Sequence, residues 1–106
     1  MVLDLSDNKI EGRFEIGELN LLQELHLSKN RITALEKSKV SLKSLKILDL
    51  KYNLIEEWST TLDCPKLKDF CVSFNKITRI KEESLINCVE IEVFDIRDND
   101  IRKFIF

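Results

Sequence analysis

Residues 45–55 read LKILDLKYNLI, and this stretch decides the fold. Leu48 and Leu50 alternate with the polar Asp49 and Lys51, the period-two pattern of a short strand with one buried face. Asn53 follows where the chain must turn out of the strand, and Ile55 points inward again two residues later. The arrangement recurs in both directions: LDLSDNKI (3–10), LQELHLSKNRI (22–32), LKDFCVSFNKI (67–77) and IEVFDIRDNDI (91–101). Asn8, Asn30, Asn53, Asn75 and Asn99 are separated by 22, 23, 22 and 24 residues. A strand of three or four residues cannot bury its apolar face alone. Equivalent strands stacked side by side, parallel and about 4.8 Å apart, can bury it jointly. An Asn amide at each exit can satisfy the backbone groups that the turn leaves unpaired, including those of the neighbouring repeat.

The shared pattern L-x-x-L-x-L-x-x-N-x-L resembles the leucine-rich-repeat family over nearly the whole chain, with only the opening apolar residue of the first copy absent. The resemblance implies an α/β solenoid. It is a right-handed coil with one short parallel strand per repeat on the concave face and irregular, 3₁₀ or short helical segments on the convex face. Residues 1–106 are expected to form a single solenoid of about five repeats, the first and last incomplete.

The return limbs vary more. Phe14, Leu35, Trp58, Ile80 and Phe104 form one apolar set there, and Leu19, Leu42, Cys64 and Cys88 form another. Segments 36–44 and 81–89 are compatible with a helical turn or two. Thr60, Thr61 and Pro65 favour irregular or 3₁₀ structure over 57–65. Gly12 and Gly17 suggest a tight, non-helical first return. Neither end carries a polar capping unit: the chain starts two residues before its first core leucine and finishes on Phe104, Ile105 and Phe106. Solenoids need polar caps, so the expectation is a piece of a longer array. Self-association through uncapped ends is the alternative.

Composition narrows the function. Hydrophobic residues make up 43% of the chain, enough for a core. The net charge is −2, so there is no overall basic field to attract nucleic acid. No apolar run is long enough to cross a bilayer. No signal-peptide pattern and no Asn-x-Ser/Thr sequon occurs, and the three cysteines form no CxxC pair. Reduced thiols in a cytoplasmic protein, or a nuclear one, fit this usage. No phosphate-binding loop, zinc-hydrolase motif or nucleophile elbow is present, so neither catalysis nor a cofactor is expected.

Side chains that alternate with the buried leucines face outward and are the candidate partner-binding residues. The centre column is Asp4, His26, Asp49, Cys71 and Asp95; the column before it includes Glu24, Ile47 and Asp69; the column after it includes Lys51 and Arg97. Five carboxylates against two cations make this face acidic. Either the acids simply keep the sheet soluble or they await a basic partner. Alternate strands lie about 10 Å apart, as do helix residues seven positions apart. A partner helix with Lys or Arg at heptad spacing therefore matches the face. Tyr52 and Phe74, on adjacent repeats beside Ile47, form a candidate apolar anchor, unless Phe74 folds inward to extend the core. His26 lies between Asp4 and Asp49, but an open face excludes no water, which favours a contact residue over a metal ligand or an acid–base group. Cys71 points outward, one strand too far from His26 for a direct pair, whereas Cys64 and Cys88 are expected in the core. The leading expectation is a protein-interaction module. The alternative is a non-catalytic leucine-rich-repeat arm of a larger signalling enzyme, such as a kinase, a GTPase or a phosphatase regulator.

Overall fold

The computed structural model describes residues 1–105, without the side chains of residues 103–105; the Phe104 side chain and Phe106, both given roles above, lie outside the described residues. In chain order the strands are β1 (Val2–Asp4), β2 (Glu11–Phe14), β3 (Glu24–His26), β4 (Arg31–Leu35), β5 (Lys39–Ser41) and β6 (Ile47–Asp49). They continue with β7 (Thr61–Asp63), β8 (Asp69–Cys71), β9 (Arg79–Lys81), β10 (Val93–Asp95) and β11 (Lys103–Ile105). One 3₁₀ turn, Glu82–Ser84, follows β9, and no α-helix occurs among the described residues.

Five strands form one parallel sheet in the order β1-β3-β6-β8-β10. Each repeat contributes one strand, as the spacing of the asparagines requires. The register aligns equivalent repeat positions, so that Leu3, Leu25, Leu48, Phe70 and Phe94 form one inward row. A slip of one residue would turn that whole row to solvent, which is why the register is strongly specified. Leu25, Leu48 and Phe70 are sealed in the core, whereas Leu3 and Phe94 on the edge strands are only partly covered. Phe70 stacks on Phe94 with ring centroids 5.4 Å apart and packs on Trp58 at 5.2 Å.

The asparagines form a buried ladder. Asn53 Nδ2 donates to the carbonyls of Leu27 and Leu50, both at 3.0 Å, while its Oδ1 accepts the Ile32 N–H at 3.0 Å. Asn30, Asn75 and Asn99 repeat this with Ile10, Ile55 and Ile77 as the donating amides. Each rung thus ties a turn to the one before it, and at the buried Asn30, Asn53 and Asn75 it does so largely shielded from water. The residue before each Asn (Asp7, Lys29, Tyr52, Phe74 and Asp98) has φ between 55 and 57°, in the left-handed region. That conformation turns the chain out of the strand while keeping the residue's N–H bonded across the repeats, for example Tyr52 N–H to the Ser73 carbonyl at 3.0 Å.

The return limbs hold short strands more than the helical turns that 36–44 and 81–89 allowed or the irregular structure expected over 57–65. Segment 36–44 contains β5, and segment 57–65 contains β7, which pairs with β5 in parallel register. Likewise β2 pairs with β4, and β9 with β11. Of the two segments compatible with a helical turn, 81–89 holds one, the 3₁₀ turn at Glu82–Ser84, and 36–44 holds a strand. The reason is a second period-two pattern: Val40 and Leu42, then Leu62 and Cys64, are all buried and alternate with polar residues. Limbs that alternate in this way bury one face by stacking as strands, as the other limb of each repeat does. Gly12 (φ +75°) marks a break in register within the β2–β4 pair, consistent with a tight first return. Leu19 was expected inside but is exposed. A tight turn, Leu19 N–H to the Gly17 carbonyl at 3.0 Å, swings it outward, and Ile16 takes the buried place.

Candidate partner-binding face

The outward residues of the five-stranded sheet fall into straight columns because the register is unbroken. Asp4, His26, Asp49, Cys71 and Asp95 are in-register neighbours, as are Val2, Glu24, Ile47, Asp69 and Val93. Every candidate named from the sequence reaches the surface of this face. Asp4 and Arg97 are exposed, and Glu24, His26, Ile47, Asp49, Lys51, Asp69, Cys71 and Asp95 are half-buried. Tyr52 and Phe74 keep 44% and 40% of their surface, so Phe74 does not fold inward. Around the middle strands the side chains leave a shallow depression of about 310 Å³, lined among others by His26, Ile47, Asp49, Asp69, Cys71 and Val93.

Most of the acidic groups already have work within the chain. Asp4, Asp49 and Asp95 each accept, through Oδ1, the backbone N–H two residues on, at 3.0, 3.1 and 3.1 Å. This local turn satisfies an amide where the strand ends. Asp95 is also gripped by the Arg97 guanidinium through two bonds of 2.9 and 2.8 Å. The guanidinium is the main cause that holds the Asp95 carboxyl below the ordinary carboxylate range. The Ser6 amide does the same for Asp4. Lys51 Nζ lies 3.8 Å from Asp49. His26 Nε2 meets Glu24 Oε1 at 2.9 Å, and its Nδ1 lies 3.9 Å from Asp49. The nearest partner of His26 is therefore Glu24 on its own strand, with Asp49, one of the two carboxylates flanking it in its column, more distant. The face is a lattice of opposite charges more than a bare acidic sheet.

Tyr52 and Phe74 lie face to face with ring centroids 4.4 Å apart and planes 7° from parallel. Both sit at the left-handed position, where the backbone presents the side chain at the lip of the sheet. Bulky residues are uncommon there. Leu54, two residues after Tyr52, is also 39% exposed. Leu54 lies outside the outward columns that the repeat pattern defines, whereas Val93 continues the column of Ile47 and Asp69 and is 51% exposed beside Asp69.

The cysteines divide as expected. Cys64 and Cys88 are buried and unpaired. Their thiols point at carbonyls of the preceding limb, those of Val40 at 3.8 Å and Leu62 at 3.3 Å. Burial is the main cause that pushes both thiols up, Cys64 to about 11. Half-buried Cys71 lies 3.2 Å from the Ser73 hydroxyl. Among the described residues no cluster of His, Cys, Asp and Glu is arranged to hold a metal ion, and no helix is long and apolar enough to cross a membrane.

Comparison with known proteins agrees with this architecture. Residues 21–64 match the family described as Leucine Rich repeats (2 copies). Over 81 residues the chain is 33% identical to leucine-rich repeat-containing protein 66 of Homo sapiens, covering 74% of this chain and 9% of that protein. The chain thus corresponds to a small part of the curated relative's length. No solved structure matches. With five in-phase repeats, a parallel strand from each and the buried asparagine ladder between them, the chain belongs to the leucine-rich-repeat family.

Proposed function

We propose that the chain is a protein-interaction module that binds its partner along the strand face. Leucine-rich-repeat domains generally mediate protein–protein interaction, and the rigid, in-register sheet is suited to it. The observation that carries the reading is the pairing of a stacked, exposed aromatic anchor with a charged depression on the same sheet. Apolar anchors ringed by polar groups are the usual anatomy of an interface. The partner is a basic amphipathic helix whose cations lie along the Asp49 and Asp69 columns and whose apolar side chains rest on Tyr52 and Phe74. The chain acts as a segment of a longer array, cytoplasmic or nuclear, without catalysis of its own. Its 9% share of the curated relative's length favours that context, in which a non-catalytic arm of a larger signalling protein is a second reading.

The test is a titration of the whole chain, followed by amide chemical shifts. The probes are a helical peptide with Lys every seven residues and its Glu counterpart. The basic peptide is expected to bind, to shift β3, β6 and β8, and to weaken as salt rises. The acidic one is expected not to bind. Shifts confined to the return limbs, or equal binding of both peptides, would refute the reading.

A further inference from the structure

Five carboxylates were counted on the strand face, but they are not equivalent. Four have a polar contact within the chain: Asp4 with the Ser6 amide, Glu24 with His26, Asp49 with Lys51, and Asp95 with Arg97. Asp69 differs. Among the described residues its carboxylate has no ion-pair partner within 4.0 Å and no side-chain hydrogen bond, although the residue is half-buried. The face's own cations are not free to serve it, because Lys51 turns to Asp49 and Arg97 to Asp95. Its in-register neighbours are Ile47 on one side and Val93 on the other. Strand spacing places each about 4.8 Å away. Asp69 is thus a carboxylate without an ion-pair partner among the described residues, in the lining of a depression and flanked on the neighbouring strands by two aliphatic residues.

We infer that Asp69 is the specificity-determining residue of this face and receives one arginine or lysine side chain of the partner. This inference rests on the protein-binding reading above and deepens it. A cationic side chain is itself half apolar: its methylene stem covers aliphatic surface while its head seeks an anion. The walls offered by Ile47 and Val93 suit the stem, and the carboxylate suits the head. An acidic partner side chain would meet the unpaired Asp69 carboxylate and be rejected. A purely aliphatic one would cover Asp69 and leave a charge dry and unpaired, which is costly. Selectivity therefore arises from rejection as much as from attraction.

The test begins with a random-peptide display library selected on the whole chain. Selected peptides are resynthesised with each Arg or Lys in turn replaced by norleucine. Both forms are titrated against the wild type, Asp69→Asn and the return-limb control Glu57→Gln. In the expected result one basic position dominates. Replacing it, or making Asp69→Asn, weakens binding about tenfold, and the two losses do not add. Glu57→Gln binds as the wild type does. If peptides bind the strand face, by amide shifts, but no basic position couples to Asp69, the inference is overturned and the protein-binding reading stands. If selection yields only peptides that bind elsewhere, or none, both fall together. A melting temperature for Asp69→Asn at or above that of the wild type is also expected, since removing an unpaired charge does not harm the fold; a marked loss would show that Asp69 is structural and would overturn the assignment.

Discussion

Replacing Asn53 by alanine deletes four hydrogen bonds at once, and the structure shows how unequal they are. The Nδ2 group donates to the carbonyls of Leu27, Leu50 and Lys51 at 3.0, 3.0 and 3.3 Å. The first two carbonyls keep a second donor after the change, Asn30 for Leu27 and Asn75 for Leu50. Lys51 keeps the Lys29 N–H at 3.1 Å. Losing these three contacts costs about 0.5–1 kcal/mol each at most. The Ile32 N–H is different: Asn53 Oδ1 is its acceptor at 3.0 Å, and the site is buried. Orphaning it costs about 1–3 kcal/mol. Together these come to about 2.5–6 kcal/mol, a large share of the 5–15 kcal/mol typical of a folded domain. Asn8 supplies the internal contrast. It is exposed and bonds only the nearby carbonyls of Leu5 and Ser6, so Asn8→Ala should cost less than about 1 kcal/mol. Asn53→Asp should be worse than alanine, because it aims a carboxylate at three carbonyl oxygens. Urea unfolding followed by far-ultraviolet circular dichroism measures all three variants, compared at constant m. An Asn53→Ala cost below about 1 kcal/mol, or one equal to that of Asn8→Ala, would refute the ladder as the element joining the repeats.

Two further outcomes follow from the core. Trp58 is buried against Phe70, yet among the described residues its Nε1 has no hydrogen-bond partner. Trp58→Phe should therefore change stability by less than about 1 kcal/mol, the lost volume being offset by removal of an unpaired N–H. Phe70→Ala should cost about 3–5 kcal/mol in the same urea titration; similar costs for the two would mean that the indole N–H is engaged. Cys64 supplies a pH dependence. Its buried thiol is raised from the ordinary 9.0 to about 11, so the unfolded chain releases this proton before the folded one does. Stability is full below about pH 9 and falls as pH rises toward 11. Urea midpoints at pH 8, 9 and 10 should show that slope, reduced in Cys64→Ala. In the folded protein, iodoacetamide at pH 8 should label Cys71 ahead of Cys64 and Cys88, and early labelling of Cys64 would contradict its burial.

The strand face was legible in the sequence because its signal is local. Leu48 and Leu50 around Asp49, repeated in phase with Asn53, specify which side chains face inward, and the stacking of like on like follows. The return limbs were less legible for a related reason. Val40 with Leu42, and Leu62 with Cys64, carry the same alternation, but with two buried residues each, too few to separate a strand from a helical turn over 36–44 or from irregular structure over 57–65. What favours the strand is the matching limb beside it, β7 against β5, and that neighbour lies 22 residues away in sequence.

The amino-acid sequence by itself determined the repeat, the strand positions, the asparagine ladder and the residues that populate the exposed columns, since each depends on side-chain type at a fixed spacing. Only the tertiary structure decided how those exposed residues share their charge. Composition treats five carboxylates and two cations as one acidic patch. Packing ties Lys51 to Asp49, Arg97 to Asp95 and His26 to Glu24, stacks Tyr52 on Phe74, and leaves Asp69 alone between Ile47 and Val93. The physical reason is range: an ion pair or ring stack is decided within about 4–5 Å by side-chain direction and by neighbours on other repeats, neither of which a linear pattern encodes.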